Sequence, residues 1–359
     1  MINVKLKLSI FLIYISFQIF CQNTSKYSNE FLNIGVDARS IGMGNAVVSS
    51  TNDVNSTYWN PAGLLKIERD EISLMHSSYF ANIASYNYLS YAKKIDNESA
   101  IGFSLIRFGV DDIMDTTQLI DNQGNIDFNR IELFSAADYA FLFSYAKKNR
   151  LLNLNYGFNV KLIRRIIGDF ANSWGFGFDF GIQHENQDGW KFGLMARDIT
   201  TTYNSWSFDE DRLNDIQNAI QGQNQEMPEK NEISIPKLQI GVSKQFELNN
   251  DYSMLAALDL FILFEETNDI ISSKIASINP SVGFEFGYID LVYLRFGINN
   301  FQNEIQFDDS EELSFQPNFG IGFNMNNIEI NYAFTDIGNQ SSALYSNVFS
   351  LKFNLNILR

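Results

Sequence analysis

From about residue 71 onward, apolar and polar residues alternate with a period of two, in one segment after another. In the last segment Phe349, Leu351, Phe353, Leu355 and Ile357 share one face, while Ser350, Lys352, Asn354 and Asn356 share the other. That period belongs to a β-strand with one greasy side and one wet side. Trp174, Phe176, Phe178, Phe180 and Ile182 likewise oppose Gly175, Gly177, Asp179, Gly181 and Gln183. Val282, Phe284, Phe286 and Tyr288 oppose Ser281, Gly283, Glu285 and Gly287. Phe319, Ile321, Phe323 and Met325 oppose Asn318, Gly320, Gly322 and Asn324. Alternation, with turn residues between segments, predicts about fourteen strands. They span 71–79, 85–94, 99–109, 133–147, 152–165, 172–184, 189–199, 235–247, 251–264, 277–288, 291–300, 315–325, 327–335 and 346–358. The segment 251–264 breaks the rule, being apolar on both faces from Leu258 to Phe264 save for Asp259.

The connections carry independent information. Turns near Asp96, Asn149, Gln187, Asn249, Ile289 and Asn326 are tight, whereas 110–132, 200–234, 265–276 and 301–314 are longer loops. Short turns at one end, long loops at the other and an even strand count are the marks of a bacterial outer-membrane barrel. No apolar run after residue 22 reaches the roughly 20 residues a membrane helix needs. A chain integral to the membrane must then close a barrel, because only helices and closed barrels satisfy their backbone in lipid. The expected fold is therefore an all-β transmembrane outer-membrane β-barrel of about fourteen antiparallel strands over 69–359. Its greasy face meets lipid, and its Gly- and Asn-rich face lines a crowded lumen. Tyr139, Trp174 and Tyr288 are placed to join an aromatic girdle.

Composition sharpens this picture. The chain has 32 Phe among its 359 residues, and only 19% are charged. Such a Phe excess suits a wall that dissolves in lipid. The net charge of −16 argues against nucleic acid as a partner, since phosphate binding wants a basic patch. Asp209, Glu210, Asp211 and Asp215 read as an acidic external loop, in which 209–224 has the spacing of a short amphipathic helix. Lys5 and Lys7 ahead of the apolar stretch Leu8–Phe20 predict a signal peptide over 1–21, cleaved near Cys21–Gln22. Cys21 is the single cysteine, so no disulfide or thiolate metal site is expected beyond it. His76 and His184 have no metal-spaced partner, and no nucleophile–base order is visible. A non-enzymatic chain with no metal and no cofactor is expected. Lys161, Asp179, Glu285, Arg295, Glu329 and Lys352 fall on polar faces and mix signs. They can pair with one another or with a plug, or they can line a gated path.

Residues 31–68 lack the strand pattern and are small, Gly-rich and Asn-rich. Preceding the first strand, the segment 22–68 is expected to fold back into the lumen as a hatch. Gly35, Gly42 and Gly44 permit tight packing and positive φ. Pro61 fixes a turn and biases Asn60 away from helix, and Asn60 can bond the local backbone. Arg39 and Asp53 are candidates for lumen ion pairs.

These residues also carry a resemblance. Phe31-Leu32-Asn33-Ile34-Gly35-Val36-Asp37-Ala38-Arg39-Ser40-Ile41-Gly42-Met43-Gly44-Asn45-Ala46, followed by Asn52-Asp53 and Tyr58-Trp59-Asn60-Pro61-Ala62-Gly63-Leu64, resembles the N-terminal signature of the PorV/PorQ family. Within the broader FadL-like group of fourteen-stranded barrels, Asn60-Pro61-Ala62 is similar to the NPA element of the hatch. The resemblance implies that Gly35, Arg39, Gly42, Gly44, Asn60, Pro61, Ala62 and Gly63 are hatch-motif residues. It implies a bacterial outer-membrane location, in Bacteroidetes, among outer-membrane lipid. The implied role is in type IX secretion, with secreted cargo C-terminal domains and other secretion-system proteins as partners. FadL-like relatives imply an alternative, the passage of hydrophobic small molecules.

Overall fold

A computed structural model of the chain describes residues 28–80, 82–120, 123–210, 229–305, 310–335 and 346–355. The expected signal peptide lies outside the described residues, as does nearly all of the helix expected over 209–224. The described residues form seventeen strand segments: β1 (Asp70–Tyr79), β2 (Ala84–Lys94), β3 (Ser99–Asp115), β4 (Glu132–Asn149), β5 (Leu154–Ile167), β6 (Ala171–Glu185), β7 (Trp190–Arg197), β8 (Thr202–Phe208), β9 (Asn231–Ser234), β10 (Lys237–Glu247), β11 (Tyr252–Leu263), β12 (Ile271–Ser272), β13 (Ser277–Tyr288), β14 (Val292–Ile305), β15 (Glu311–Met325), β16 (Ile328–Thr335) and β17 (Ser346–Leu355). All pairings are antiparallel, and β17 returns to β1 with Asp70 opposite Leu355 and His76 opposite Phe349. The sheet thereby closes on itself.

The wall has fourteen strands, as the alternation predicts. β8 continues β7 along β6, β9 leads into β10, and β12 is a short flap on β13. Several loops are shorter than expected because the strands run on past β-bulges. Val110 faces Ala136 and Ile113 faces Phe134, so β3 holds one extra residue there and continues to Asp115. The same shift between Asn299 and Gln302 carries β14 to Ile305 and lets β15 begin at Glu311. An extra residue reverses which side chains point inward. The alternation therefore breaks where the strand does not. In the expected loop 200–234, the chain bulges at Asp198 (φ 55°) and Thr201 (φ 62°), then resumes as β8.

The outer face has the height of a bilayer. On β6, Trp174, Phe176, Phe178, Phe180 and Ile182 point outward, with His184 at the short-turn end. At ~3.3 Å per residue and a tilt near ~40°, the step from Trp174 to His184 rises about 25 Å, the height of a barrel's apolar band. Near the long-loop end Arg164 lies over Trp174 with 4.9 Å between guanidinium and ring centroid, and Arg107 lies over Tyr139 at 6.0 Å. At the other end Lys244 sits 5.1 Å over Trp190, and Tyr252 packs on Tyr288 at 5.0 Å. Rings flanked by cations at two levels bound the lipid-facing band.

The core lies inside. Residues 28–67 run from the long-loop end, where Lys237 reaches Asn33, to the short-turn end, where Pro61 meets Gly157. Within them lie short 3₁₀ turns at Glu30–Asn33 and Pro61–Lys66, and two helices, α1 (Ala38–Gly42) and α2 (Ser56–Trp59). Val36, Ile41, Met43 and Val47 pack with inward Met75, Tyr79, Tyr86, Tyr88 and Ile106 of the wall.

A lipid-face test follows. Phe178 is 38% exposed on the outer face of β6, whereas Phe128 is 71% exposed in a long loop. Phe178→Arg is expected to cost about 2–4 kcal/mol in urea titrations of the barrel in liposomes, and Phe128→Arg about 1 or less. Equal costs would contradict the assigned membrane band.

Candidate functional site

The hatch keeps its shape through local bonds and through glycines that open the wall to it. Asp37 (φ 70°) caps α1 by accepting from Ser40 N, and Ser350 Oγ of β17 donates to it at 2.7 Å. Burial first, then the Asp53 charge, pushes the Asp37 carboxyl above its ordinary range. Asn60 Oδ1 accepts from Ala62 N at 3.2 Å, with Pro61 at the first position of its turn. Asn60 Nδ2 lies 3.0 Å from both Val48 O and Ile182 O, so one amide ties two hatch segments to β6. A Cβ on Gly181 would come within 2.1 Å of Asn60 Oδ1. A Cβ on Gly297 would come within 2.1 Å of the amide nitrogen of Gly44, itself at φ +63°. The Gly-rich inner face is the seat on which the hatch backbone rests.

Around the hatch, the sequence-predicted charges separate into two groups. On one side Arg39 of α1 grips Glu285 of β13 with Nε at 2.8 Å and Nη2 at 2.9 Å. Arg295 Nε of β14 lies 2.6 Å from the same carboxylate, and its Nη2 lies 3.7 Å from Glu329 of β16. Lys352 of β17 bridges Glu329 at 2.7 Å and Asp53 of the hatch at 2.8 Å. The order Arg39–Glu285–Arg295–Glu329–Lys352–Asp53 alternates in sign, is neutral overall, and starts and ends on the hatch. Asn331 Oδ1 accepts from Arg295 Nη1 at 2.7 Å, and Glu71 of β1 accepts from Val54 N at 2.8 Å. This ladder borders a polar cavity of about 220 Å³ near the short turns, which Asn52, Gln245 and Tyr293 also line.

Lys161 and Asp179 form the second group, away from the ladder. Lys161 Nζ lies 2.8 Å from Asp179 Oδ1 and also contacts Asp198, to which Thr202 Oγ1 donates. Asp198 sits on the β7–β8 bulge, so the interruption of the strand delivers the carboxylate. Asn159 Nδ2 bonds Thr57 O at 2.9 Å and links this group to α2.

Near the long loops, a second cavity of about 360 Å³ has Tyr58 and Trp59 in its floor and Phe261 and Leu263 in its wall. Phe261 and Leu263 are inward residues of β11, which explains why that strand is apolar on both faces. Tyr58 Oη donates to Leu32 O at 2.5 Å, and Trp59 Nε1 to Val36 O at 3.0 Å. Arg197 of β7 lies over Tyr58 at 4.5 Å.

Sequence reading missed Asp198, Arg197, Asn159 and Asp259, the last an inward residue of β11 that accepts from Val48 N of the hatch at 3.0 Å and from Gln239 Nε2 at 2.9 Å. Asp259 and Asn159 were within reach of the alternation, which points both inward. Asp198 was hidden by the bulge. His76 bonds Asn87 at 2.7 Å on the outer face, and His184 lies near Asn153 at the short-turn end. Among the described residues, no group of three His, Cys, Asp or Glu could hold a metal.

Residues 21–191 match the family model of the type IX secretion system protein PorV, in agreement with the resemblance of the hatch motif. No curated protein sequence matches the chain. Among solved structures, the chain is similar to the Pseudomonas putida toluene transporter TodX at 14% identity and a TM-score of 0.55, covering 93% of this chain and 100% of that one. It is similar to the monoaromatic hydrocarbon channel CymD at 12% identity and a TM-score of 0.52, covering 90% and 98%. A FadL homologue of Pseudomonas aeruginosa matches at 12% identity with a TM-score of 0.49, covering 89% and 98%. The fold is thus the one shared with the TodX and CymD barrels, and the family match together with that fold indicates an outer-membrane protein.

The ladder generates a coupling test. Removing one partner of a buried ion pair costs about 3–5 kcal/mol, so Arg39→Ala and Glu285→Ala are each expected to destabilise the barrel strongly in denaturant titrations. The double variant is expected to cost less than the sum by about 0.5–3 kcal/mol. Additive costs would show that hatch and wall are not coupled through this pair.

Proposed function

We propose that the barrel is a non-enzymatic component of type IX secretion that engages secreted cargo, or the proteins attaching it, at its long-loop mouth. The observation that carries this reading is the PorV family match over residues 21–191, which includes the whole hatch. The seating of the hatch in the lumen supports it. A hatch anchored through Arg39 and Asp53 to four wall strands suits a barrel that holds a partner at its mouth better than one that conducts. The hatch-motif residues Gly35, Gly42, Gly44, Asn60, Pro61, Ala62 and Gly63 then serve as its structural frame, and Lys161, Asp179, Glu285, Arg295, Glu329 and Lys352 as its lock.

The second reading is transport of hydrophobic small molecules. Its support is the likeness to a toluene transporter and a hydrocarbon channel, together with the apolar flank that Phe261 and Leu263 give the long-loop cavity. That route would need an apolar path past the hatch, and the ladder stands across the polar side of the lumen.

Gentle affinity purification of the tagged barrel from its native outer membrane, with mass spectrometry of what accompanies it, separates the two. Secreted proteins sharing a C-terminal β domain, or attachment proteins, are the expected companions. A barrel that emerges with only an apolar small molecule would transfer the function to transport. Deletion of the gene is expected to leave cargo unprocessed and unattached. Normal attachment in the deletion strain would overturn the secretion role.

A further inference from the structure

We infer that the long-loop cavity receives a peptide segment bearing a carboxylate, and that Arg197 is the residue that anchors it. The inference rests on the cargo-binding reading and names the part of the partner that the lumen recognises.

Arg197 points inward from the end of β7 and is only 7% exposed. Its described contacts are with rings, Tyr58 at 4.5 Å and Trp59 at 5.9 Å. Its guanidinium has no hydrogen bond and no ion pair among the described residues. The other buried cations are all answered. Lys161 has Asp179, Arg295 has Glu285, Lys352 has Asp53 and Glu329, and Lys237 has Glu30 at 3.6 Å. A buried charge is costly unless it is paired. Arg197 is therefore the one cation of this set held ready for an anion from outside.

The carboxylates around the cavity are already engaged. Glu30 faces Lys237, and Asp198 is held by Lys161 and Thr202. Asp269 accepts from Asn279 Nδ2 at 2.7 Å and from Thr267 Oγ1 at 2.7 Å. The rings beneath Arg197 fix its plane without consuming its donors, which leaves the fork free for a two-pronged bond to a carboxylate.

The rest of the lining says what carries that carboxylate. Asn33, Asn45, Gln239, Asn299, Asn300 and Gln302 surround the space. Gln239 Nε2 is spent on Asn45 O and Asp259, and Asn33 on Glu30 and Lys237, while Asn299 Nδ2, Asn300 Nδ2 and Gln302 Oε1 have no partner among the described residues. Asn45 Oδ1 is buried with no partner among the described residues. An alkyl chain entering here would strip water from these amides and return no hydrogen bond. A peptide backbone returns one of each kind per residue. The volume of about 360 Å³ lies within the range of ligand pockets and suits a short segment. Phe261 and Leu263 give one apolar flank for a side chain.

The test uses the full barrel in detergent, immobilised and offered two pools of random hexapeptides. One pool has free C-terminal carboxylates and the other is C-terminally amidated. Decanoate is tested in parallel. Saturable retention of free-acid peptides by the wild type is expected. Arg197→Gln is expected to weaken it roughly tenfold or more, and Arg197→Lys to weaken it less. If the chain end supplies the carboxylate, amidation abolishes retention. If an acidic side chain supplies it, the amidated pool is retained and enriched in Asp and Glu. Heat-modified migration in gels verifies folding, and if Arg197→Gln does not fold, the two pools on wild type and Arg197→Lys still decide. Failure to retain either pool, binding of decanoate alone, or undiminished peptide binding by Arg197→Gln would overturn the inference. Cargo that co-purifies equally well with wild type and Arg197→Gln would overturn it while leaving the secretion role standing.

Discussion

A fourteen-stranded barrel is too wide to fill with its own side chains. About eight strands enclose a space that inward residues can pack, and each further pair widens it. The backbone must close on itself because lipid offers it no hydrogen bonds. Closure at this strand number leaves a lumen, and something else must occupy it. In this chain the occupant is the segment ahead of β1, and most of the interior chemistry follows from that need. Gly157, Gly181, Gly193, Gly241, Gly283 and Gly297 stand where hatch atoms come closer than any Cβ would allow. Glycine is a poor strand residue on its own account. Its density here is the cost of bringing one backbone against another.

Close approach settles where the hatch fits, but van der Waals contact alone is weakly directional. The charges supply direction. The ladder from Arg39 to Asp53 links two points of the hatch through four strands, and neutrality lets it lie buried without a net charge to solvate. Buried ion pairs add little stability over well-packed apolar residues, yet breaking one is expensive. Such a ladder therefore discriminates one seating of the hatch against its neighbours. A rotation of the hatch by one strand would leave Arg39 and Asp53 without partners. The Lys161–Asp179–Asp198 group holds the opposite side through Asn159 and Thr57, so the hatch is fixed from two directions.

Much of this fold was legible because period two survives wherever a strand is regular. It failed at Val110–Ile113, Asn299–Gln302 and Asp198–Thr201, where extra residues reverse the inside–outside phase or displace it. Periodicity cannot distinguish a bulge from a loop. The lumen charges could be located from alternation, since each lies on a polar face. Their partners could not, because pairing depends on cross-strand register and on a hatch that has no period of its own. Glu285 meets Arg295 because their backbones are in register. Arg39 meets Glu285 only through the fold of a separate segment. Arg197 gave no signal, being one more charged residue at a strand end until its isolation in space is seen.

The two cavities differ in kind, and that difference bears on function. Near the short turns, the space is bordered by the ladder and is almost wholly polar. Near the long loops, amides and one arginine mix with Phe261 and Leu263 over an aromatic floor. A conduit for hydrocarbons would want apolar lining throughout, since any polar stretch along it must be crossed at the expense of bare hydrogen-bonding groups. A docking mouth wants what is found here. In the proposed docking reading, the mixed lining would meet the partner, with the neutral ladder beneath it. The doubly apolar end of β11 fits the same view, because its inward half borders the long-loop cavity rather than the packed hatch. The hatch then does two jobs with one set of contacts: it closes the lumen, and its Tyr58 and Trp59 become the floor against which Arg197 is held.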